Sequence, residues 1–228
     1  MRLRWRSATK DRGHVPGEPE RSLIVSKFLK RIIFLIKFYN IPKELVFNAD
    51  ESGLVLFPLP KKTYAPPNAP VPLVAKEEKR QYTFTPVVNA AGWLVGKIQI
   101  IWEGTTSACH PASELQTQYE KSRRHTYCNA HWATGVTVLE LFKHEWSDTV
   151  KPYMEAQGLD TTTTKWLVLL DVHWSHRKAL HALRQEYPGL IIVFVPARCT
   201  PILQPLDVGF NGPCKLRVRT AASKWLAM

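Results

Sequence analysis

The sequence predicts a mixed α/β domain in which an antiparallel hairpin precedes strand–helix–strand units. Two uninterrupted apolar runs, residues 166–170 and 190–195, have the length and composition of buried strands, and a helix-forming segment at 176–186 separates them. Upstream, residues 81–89 and 93–102 are rich in β-forming residues, and Ala-Ala-Gly between them favours a turn. We therefore expect a sheet that combines an antiparallel hairpin with parallel strands and is flanked by helices.

The composition sets limits on the class of protein. The chain has 228 residues, of which 45% are hydrophobic and 22% charged, so it is neither wholly disordered nor a coiled coil and suits one domain. Lys and Arg total 31 against 19 Asp and Glu, and the net charge of +12 favours a polyanionic partner, most plausibly nucleic acid. The four cysteines are dispersed without a CxxC pair, which favours free thiols in a reducing compartment.

The N-terminal segments are assigned from their patterns. Residues 1–20 are polar and contain Pro and Gly, which favours an extended lead-in. Residues 21–40 carry apolar residues at helical spacing, and we expect a helix packed on the core; the alternative is a basic amphipathic helix on a membrane surface. No apolar run reaches about 18 residues, so we expect no membrane span.

The segments that follow are shorter and more varied. Residues 44–50 read as a short apolar strand, and residues 57–72 hold six prolines, which predicts an irregular loop. Residues 103–131 show no period and are expected to form a loop or lid inserted into the domain. The remaining predicted elements are helices at 134–156 and 208–228 and a proline-bounded loop at 197–206.

Three acidic residues occupy similar places in this scheme. Asp50 ends the first predicted strand, Asp171 ends the fourth, and Asp207 follows the fifth and precedes the last helix. Sites in open α/β sheets assemble at the carboxyl ends of strands, and converging carboxylates repel one another unless cations lie between them. Mg²⁺ prefers such oxygen ligands, and two metal ions can cleave a phosphodiester. The alternative is that the acids are ordinary capping or solvated loop residues.

The segments around these acids resemble a known family. FNADESG (47–53), LLDVHWSH (169–176) and VPARCTPILQPLDVGFNGP (195–213) are similar to the DDE-superfamily endonuclease domain of pogo/Tigger-type transposases, within the Tc1/mariner group. Residues 79–106 also resemble the central hairpin of that family. The resemblance covers roughly residues 20–220, and its most specific parts are the QPLDVG and LLDVHWSH blocks.

The resemblance implies an RNase H-like fold over residues 21–228, in the nucleus, with DNA as the partner. It implies that Asp50, Asp171 and Asp207 are both the catalytic residues and the ligands of two Mg²⁺ or Mn²⁺ ions that cleave and transfer DNA strands. Glu51 would be a neighbour of the site rather than a ligand. The resemblance also leaves room for a homodimer and for a remnant domain that binds nucleic acid without turnover.

Two further sets of residues are candidates around this site. The neighbours of the acids that could support the carboxylates or touch DNA are His173, Ser175, His176 and Gln204. The candidates for phosphate contacts, which an ordinary solvated surface would equally explain, are Arg123, Arg124, Lys215, Arg217 and Arg219.

The sequence departs from the family pattern at two positions and in its organisation. Val172 stands where the family usually has Asn, which removes a hydrogen bond near the metal site, and Trp174 replaces a small polar residue. Few residues precede the predicted core, so we expect the helix-turn-helix module that reads DNA sequence to be separate or missing.

Tryptophans and a set of Cys and His residues are further candidates for binding groups. Trp132 and Trp174 are the better candidates for exposure and base stacking, whereas Trp102, Trp146 and Trp166 are expected in the core. A zinc site is the less favoured reading of five residues whose spacing fits no standard module: Cys109, His110, His125, Cys128 and His131.

Overall fold

The computed structural model describes residues 18–55 and 80–226. The predicted proline-rich loop at 57–72 and most of the predicted lead-in lie outside the described residues. The helices are α1 (Glu18–Phe38), α2 (Ser113–Tyr119), α3 (Gly135–Glu145), α4 (Lys151–Ala156), α5 (Trp174–Glu186), α6 (Thr200–Leu203), α7 (Pro205–Gly209) and α8 (Asn211–Leu226). The strands are β1 (Val46–Ala49), β2 (Ser52–Val55), β3 (Gln81–Asn89), β4 (Leu94–Glu103), β5 (Arg123–Cys128), β6 (Trp166–Leu170) and β7 (Leu190–Phe194).

The strands form one mixed sheet in the order β5-β4-β3-β1-β6-β7, with β2 paired to β3. The β1–β3, β2–β3 and β3–β4 pairs are antiparallel. The β1–β6, β6–β7 and β4–β5 pairs are parallel. Helices flank this sheet, and the predicted fold class is confirmed.

Both faces of the sheet are covered. Ile101 of β4 is fully buried in the main core, where α1, α3, α4 and α5 contribute apolar side chains. Its neighbour Ile100 belongs to a smaller cluster, against which Cys214 and Val218 of α8 pack. Because successive side chains of a strand point to opposite faces, the two clusters lie on opposite sides of the sheet.

The first two strands are separated by a two-residue break in their pairing with β3. β1 pairs with β3 from Phe47 to Ala49, and β2 resumes pairing with the same strand at Ser52. The two residues between them are Asp50 and Glu51. On β3 the register with β4 also shifts at Pro86, which has no N–H to donate to a ladder. The chain therefore presents two acids where regular pairing is interrupted.

The apolar stripe of α1 packs on the core in part, whereas Leu29 and Ile33 are exposed. Phe28 is buried, and Ile24, Ile32, Leu35 and Ile36 contact the main core. The helix begins at Glu18, within the segment predicted as lead-in, so that boundary was wrong by three residues. In the part of the chain that the structure describes, no helix has both the length and the apolar character to cross a membrane.

Several segments predicted as loops contain regular structure. Residues 103–131 include α2 and the edge strand β5, whose RRHTYC sequence has no alternation because both of its faces are partly exposed. β2 was missed because it follows β1 after only two residues. The loop at 197–206 contains α6 and the start of α7, and the final helix begins at Asn211 rather than at 208.

The predicted helix at 134–156 is interrupted by one π-helical turn, Trp146–Val150. Glu145 ends α3 directly before this turn, and its side chain is buried, with Oε1 unpaired and Oε2 accepting from the Thr149 hydroxyl at 3.3 Å. Burial raises the pKa of this carboxyl to about 7. Gly96 on β4 has φ +62°, and a Cβ there would collide with the Glu145 carboxylate, so the strand needs glycine at this contact.

Glu145→Gln is expected to stabilise the domain in a pH-dependent way. A raised folded-state pKa means that unfolded Glu145 ionises near pH 4.5 while folded Glu145 stays protonated to about pH 7, so wild-type stability falls across that window. The variant lacks this loss. Its advantage in the free energy of unfolding should grow by about 2–3 kcal/mol between pH 5 and pH 8, measured by urea titration. Exposed Glu155→Gln is the control, and an advantage independent of pH would contradict the assignment.

Candidate active site

Asn48 of β1 ties together the three segments that carry the acids. Its amide Nδ2 donates to the backbone oxygen of Leu169 at the end of β6, at 3.0 Å. Its Oδ1 accepts from the backbone N–H of Leu206 in α7, also at 3.0 Å. The side chain is buried, and both of its polar groups are satisfied within the protein. Asp50 and Asp171 lie two residues after Asn48 and Leu169, and Asp207 directly follows Leu206. Asn48 therefore brings the backbones of the three acids together.

Asp50 is the buried member of the cluster, with 6% of its surface exposed. Burial, and after it the negative charges of Asp207, Glu51 and Asp171 in that order, together raise the pKa of its carboxyl to about 8 against the lowering effect of a hydrogen bond from Gln204. Asp171 and Asp207, the other two predicted acids, therefore both lie within electrostatic range of Asp50. Such an arrangement is costly for carboxylates alone and is relieved by a cation.

Asn211, at the start of α8, bridges two of the acids. Its Nδ2 donates to Asp50 Oδ2 at 2.8 Å and to Asp207 Oδ1 at 3.1 Å. Asp207 lies in α7, one turn before Asn211, and its side chain is exposed. Sequence reasoning missed Asn211, although it lies in the QPLDVGFNGP segment; its four-residue spacing from Asp207 was the available signal.

Asp171 is held by a second group of side chains. His176 of α5 lies with Nε2 at 2.9 Å from Glu51 Oε1 and with Nδ1 at 3.0 Å from Asp171 Oδ1. The Nδ1 hydrogen bond goes to the Asp171 backbone oxygen at 3.1 Å, and Asp171 Oδ1 has no hydrogen-bond partner, so its contact with the ring is one of charge. Burial alone would lower the pKa of His176, but Asp171 and Glu51 outweigh burial and raise it to about 10.

The donor atoms suit a hard divalent cation. Buried side-chain oxygens without a hydrogen-bond partner occur on Asp171, Gln204 and Asn211, next to the Asp50 and Asp207 carboxylates. Oxygen-only ligation of this kind is what Mg²⁺ and Mn²⁺ accept. Among the described residues, the three potential ligands that lie within 4.8 Å of one another are Glu51, Asp171 and His176. Glu51, expected to be a neighbour of the site rather than a ligand, therefore belongs to this group, whereas Asp50 and Asp207, expected to be ligands, do not.

The residues after Asp171 have different surroundings. Ser175, in the first turn of α5, is fully buried. Its hydroxyl lies 2.7 Å from Nδ1 of His173, the residue just before the helix. The Val172 side chain is 40% exposed and donates no hydrogen bond to the acids. Gln204, predicted as a neighbour, is buried, and its Nε2 donates to the Ala49 backbone oxygen at 3.3 Å. Amides from the α6–α8 segment thus contact the β1 end of the site.

The basic candidates fall into two groups. The Arg124 guanidinium forms an ion pair with Asp148 at 2.7 Å, so its charge is already partnered, whereas the Arg123 guanidinium lies over the Tyr119 ring at 4.1 Å. The candidates on α8, the helix that starts at Asn211, are Lys215, Arg217 and Arg219, of which the two arginines are exposed. Phosphate contact by any of them stays a prediction.

The residues weighed as zinc ligands have other partners. His125 Nδ1 accepts a hydrogen bond from Trp102 Nε1 at 2.9 Å, and Cys128 Sγ lies 2.9 Å from the Trp132 backbone oxygen. Burial lowers the pKa of His125, as do the neighbouring His110 and Arg123. Within residues 18–55 and 80–226, these residues form no cluster with metal-binding spacing.

Comparison with solved structures identifies the fold. Two mariner transposase structures are similar: the Mos1 paired-end complex with Mn (TM-score 0.52) and a pre-cleavage Mos1 transpososome (TM-score 0.50). Each is 15% identical in sequence, and the matches cover 98% and 97% of this chain. The chain spans 58% of the length of either transposase chain. The fold of this sheet with its helices is RNase H-like.

The sequence match is more specific than the structural one. Residues 82–228 match the family described as DDE superfamily endonuclease, which is more than half of the chain and includes Asp171 and Asp207. Asp50 lies before the matched region. On this match, the chain belongs to the DDE superfamily of endonucleases.

Proposed function

We propose that this chain is the catalytic core of a pogo/Tigger-type transposase, which cleaves DNA and transfers its ends with two divalent metal ions held by Asp50, Asp171 and Asp207. The observation that carries the proposal is the acid cluster around Asp50, whose pKa is about 8 because burial and three neighbouring carboxylates disfavour its charge. An acid cluster of this kind, in a chain of net charge +12, suits a site that takes up metal ions and holds a DNA phosphate.

Each group at the site has a distinct part in this proposal. Bound Mg²⁺ or Mn²⁺ would activate a water or a DNA 3′-hydroxyl and offset charge on the phosphate. The Asn211 amide donates to the carboxylates of both Asp50 and Asp207 and so holds the two side chains close together. Protonated His176 holds Asp171 and Glu51 in place by charge and hydrogen bonds. The exposed arginines of α8 would bind the DNA backbone beside the acids.

Further parts of the proposal concern the protein's setting. We place its action on DNA in the nucleus, with a helix-turn-helix module outside this core and with a homodimer as the assembly. A domain that binds nucleic acid without turnover is the second candidate. The exposed apolar Val172, in place of the asparagine usual in the resembled family, favours it.

Metal-dependent nicking separates the two candidates. With Mn²⁺, the wild-type chain should nick supercoiled DNA, and Asp171→Asn should lower the rate at least about 100-fold because the variant loses a negatively charged ligand. Asp160→Asn removes an exposed acid in the loop before β6 and is the matched control. Absence of Mn²⁺-dependent nicking, or equal rates for wild type and Asp171→Asn, would leave only the binding candidate.

Asp50→Asn should have opposite effects on stability with and without metal. In chelator at neutral pH the variant should have a higher melting temperature than wild type, because asparagine has no charge to bury or to be repelled by the other acids. Each kcal/mol gained in the free energy of unfolding should raise the melting temperature by about 2–4 °C. Added Mn²⁺ should raise the wild-type melting temperature and raise that of the variant much less. Scanning calorimetry measures both. A variant that is destabilised in chelator, or that gains as much from Mn²⁺ as wild type, would contradict the site.

Asn211→Ala tests the bridge between the acids. Loss of groups that orient metal ligands typically costs 10–100-fold in metal affinity. The Mn²⁺ affinity of the variant, measured by calorimetric titration, should therefore be lower than that of wild type by about that factor. The exposed Asn129→Ala is the control for removal of an amide. Unchanged Mn²⁺ affinity in a folded Asn211→Ala protein would show that the bridge does not support metal binding.

A further inference from the structure

A groove of about 570 Å³ lies beside the acid cluster, between the turn after β5 and the start of α5. Its volume is within the range of about 300–1,000 Å³ that is usual for ligand sites. Three large aromatic side chains line it, Trp132, Trp174 and Tyr127, and they are 53%, 49% and 40% exposed. The sequence-based expectation that these two tryptophans are exposed is confirmed. Trp166 lies in the core as expected, whereas Trp146 and Trp102, also expected in the core, are only partly buried against it or against the smaller cluster.

The turn that carries Trp132 is held in a defined conformation. His131 has φ +50°, in the left-handed region that few residues other than glycine adopt and that histidine adopts more readily than most. The Trp132 backbone oxygen lies 2.9 Å from Cys128 Sγ, and the His131 N–H donates to the Cys128 oxygen at 3.4 Å. The Trp132 ring lies near Gly53 of β2, where a Cβ would be 3.9 Å from it. The ring is therefore positioned near the strand that follows Asp50 and Glu51.

Trp174 is positioned by the other side of the site. It is the first residue of α5, three positions after Asp171, and its ring lies 5.6 Å from that of His173. Lys178, one turn further along the helix, places its ammonium 4.8 Å from the centre of the Trp174 ring. Arg177, also on this first part of α5, is exposed. Trp174 thus follows the segment that carries Asp171, Trp132 lies near the strand that follows Asp50, and the positive charge of Lys178 lies next to Trp174.

We propose that this groove binds an unpaired nucleotide of single-stranded DNA, with its base against Trp132 or Trp174 and its phosphate near Lys178 and Arg177. The inference rests on the proposed function, because a strand whose phosphate lies at the acids would continue along this groove. Aromatic faces stack on any base, and the adjacent cations attract the phosphate. A base paired within a duplex offers no free face, so the groove selects strands that are frayed or already cut.

The chemistry of the lining favours a nucleotide over an apolar partner. Polar and charged groups share the groove with the tryptophans, namely the Glu140 carboxylate, the Thr126 hydroxyl that donates to it at 2.9 Å, and the exposed Asn129. A purely apolar partner would bury these groups without partners, which is costly. A nucleobase instead offers an apolar face to the tryptophans and polar edges to the groups between them.

Binding of DNA in chelator tests the inference without any cleavage. Fluorescence anisotropy would measure the affinity of the full chain for a labelled single-stranded oligonucleotide and for the same sequence as a blunt duplex. Stacking is worth about 1–3 kcal/mol per base, so Trp132→Ala or Trp174→Ala should weaken single-strand binding about 5- to 150-fold while duplex affinity stays within about twofold. Trp132→Phe and Trp174→Phe should recover most of the lost affinity because a phenyl ring still stacks.

Trp93→Ala is the matched control, since Trp93 is 70% exposed in the turn between β3 and β4 and does not line the groove. Three outcomes would overturn the inference: groove variants that bind single strands as well as Trp93→Ala does, equal losses for single strands and duplex, or no recovery with Phe. Because no metal is present, an inactive protein with intact strand selectivity would contradict only the proposed catalysis. Active cleavage without any tryptophan effect would contradict only the groove.

Discussion

The site depends on one buried amide, Asn48, which satisfies backbone groups from two other segments. Its bonds to Leu169 and Leu206 join residues 121 and 158 positions away in the sequence. A buried amide left without these partners would cost about 1–3 kcal/mol for each orphaned group, so the ends of β1 and β6 and the start of α7 can hardly separate without loss of stability. The carboxylates are therefore assembled by hydrogen bonding of the backbone near them, although they repel one another.

The same segments show how an acid cluster is tolerated by the protein's own side chains. Neutral amide donors face Asp50 and Asp207, and one histidine cation lies between Asp171 and Glu51. These contacts offset part of the repulsion, while Asp50 still has a pKa near 8 and several buried oxygens lack partners. The balance leaves the site folded but with unsatisfied oxygen ligands, which is the state expected of a centre that binds a cation.

Prediction of the fold from sequence succeeded for strands that are buried on both faces and for strands in which apolar and polar residues alternate regularly. β6 and β7 are continuous apolar runs because both faces are covered, and β3 and β4 form the expected hairpin. β5 has no pattern because it is a half-exposed edge strand, and the π-turn after α3 inserts without disturbing the apolar spacing. The tryptophans at the groove were recognisable as exposed because they lie outside any periodic segment.

The sequence alone determined the residue types and their order: three acids after apolar strands, a basic chain, and segments that resemble a transposase core. Only the tertiary structure decided which side chains meet. The Asn211–Asp50 bond spans 161 positions and the His176–Glu51 contact spans 125, and no local periodicity encodes such pairs. The physical reason is that strand pairing in a mixed sheet joins distant segments, so the electrostatic partners of each acid are set by topology rather than by neighbours along the chain.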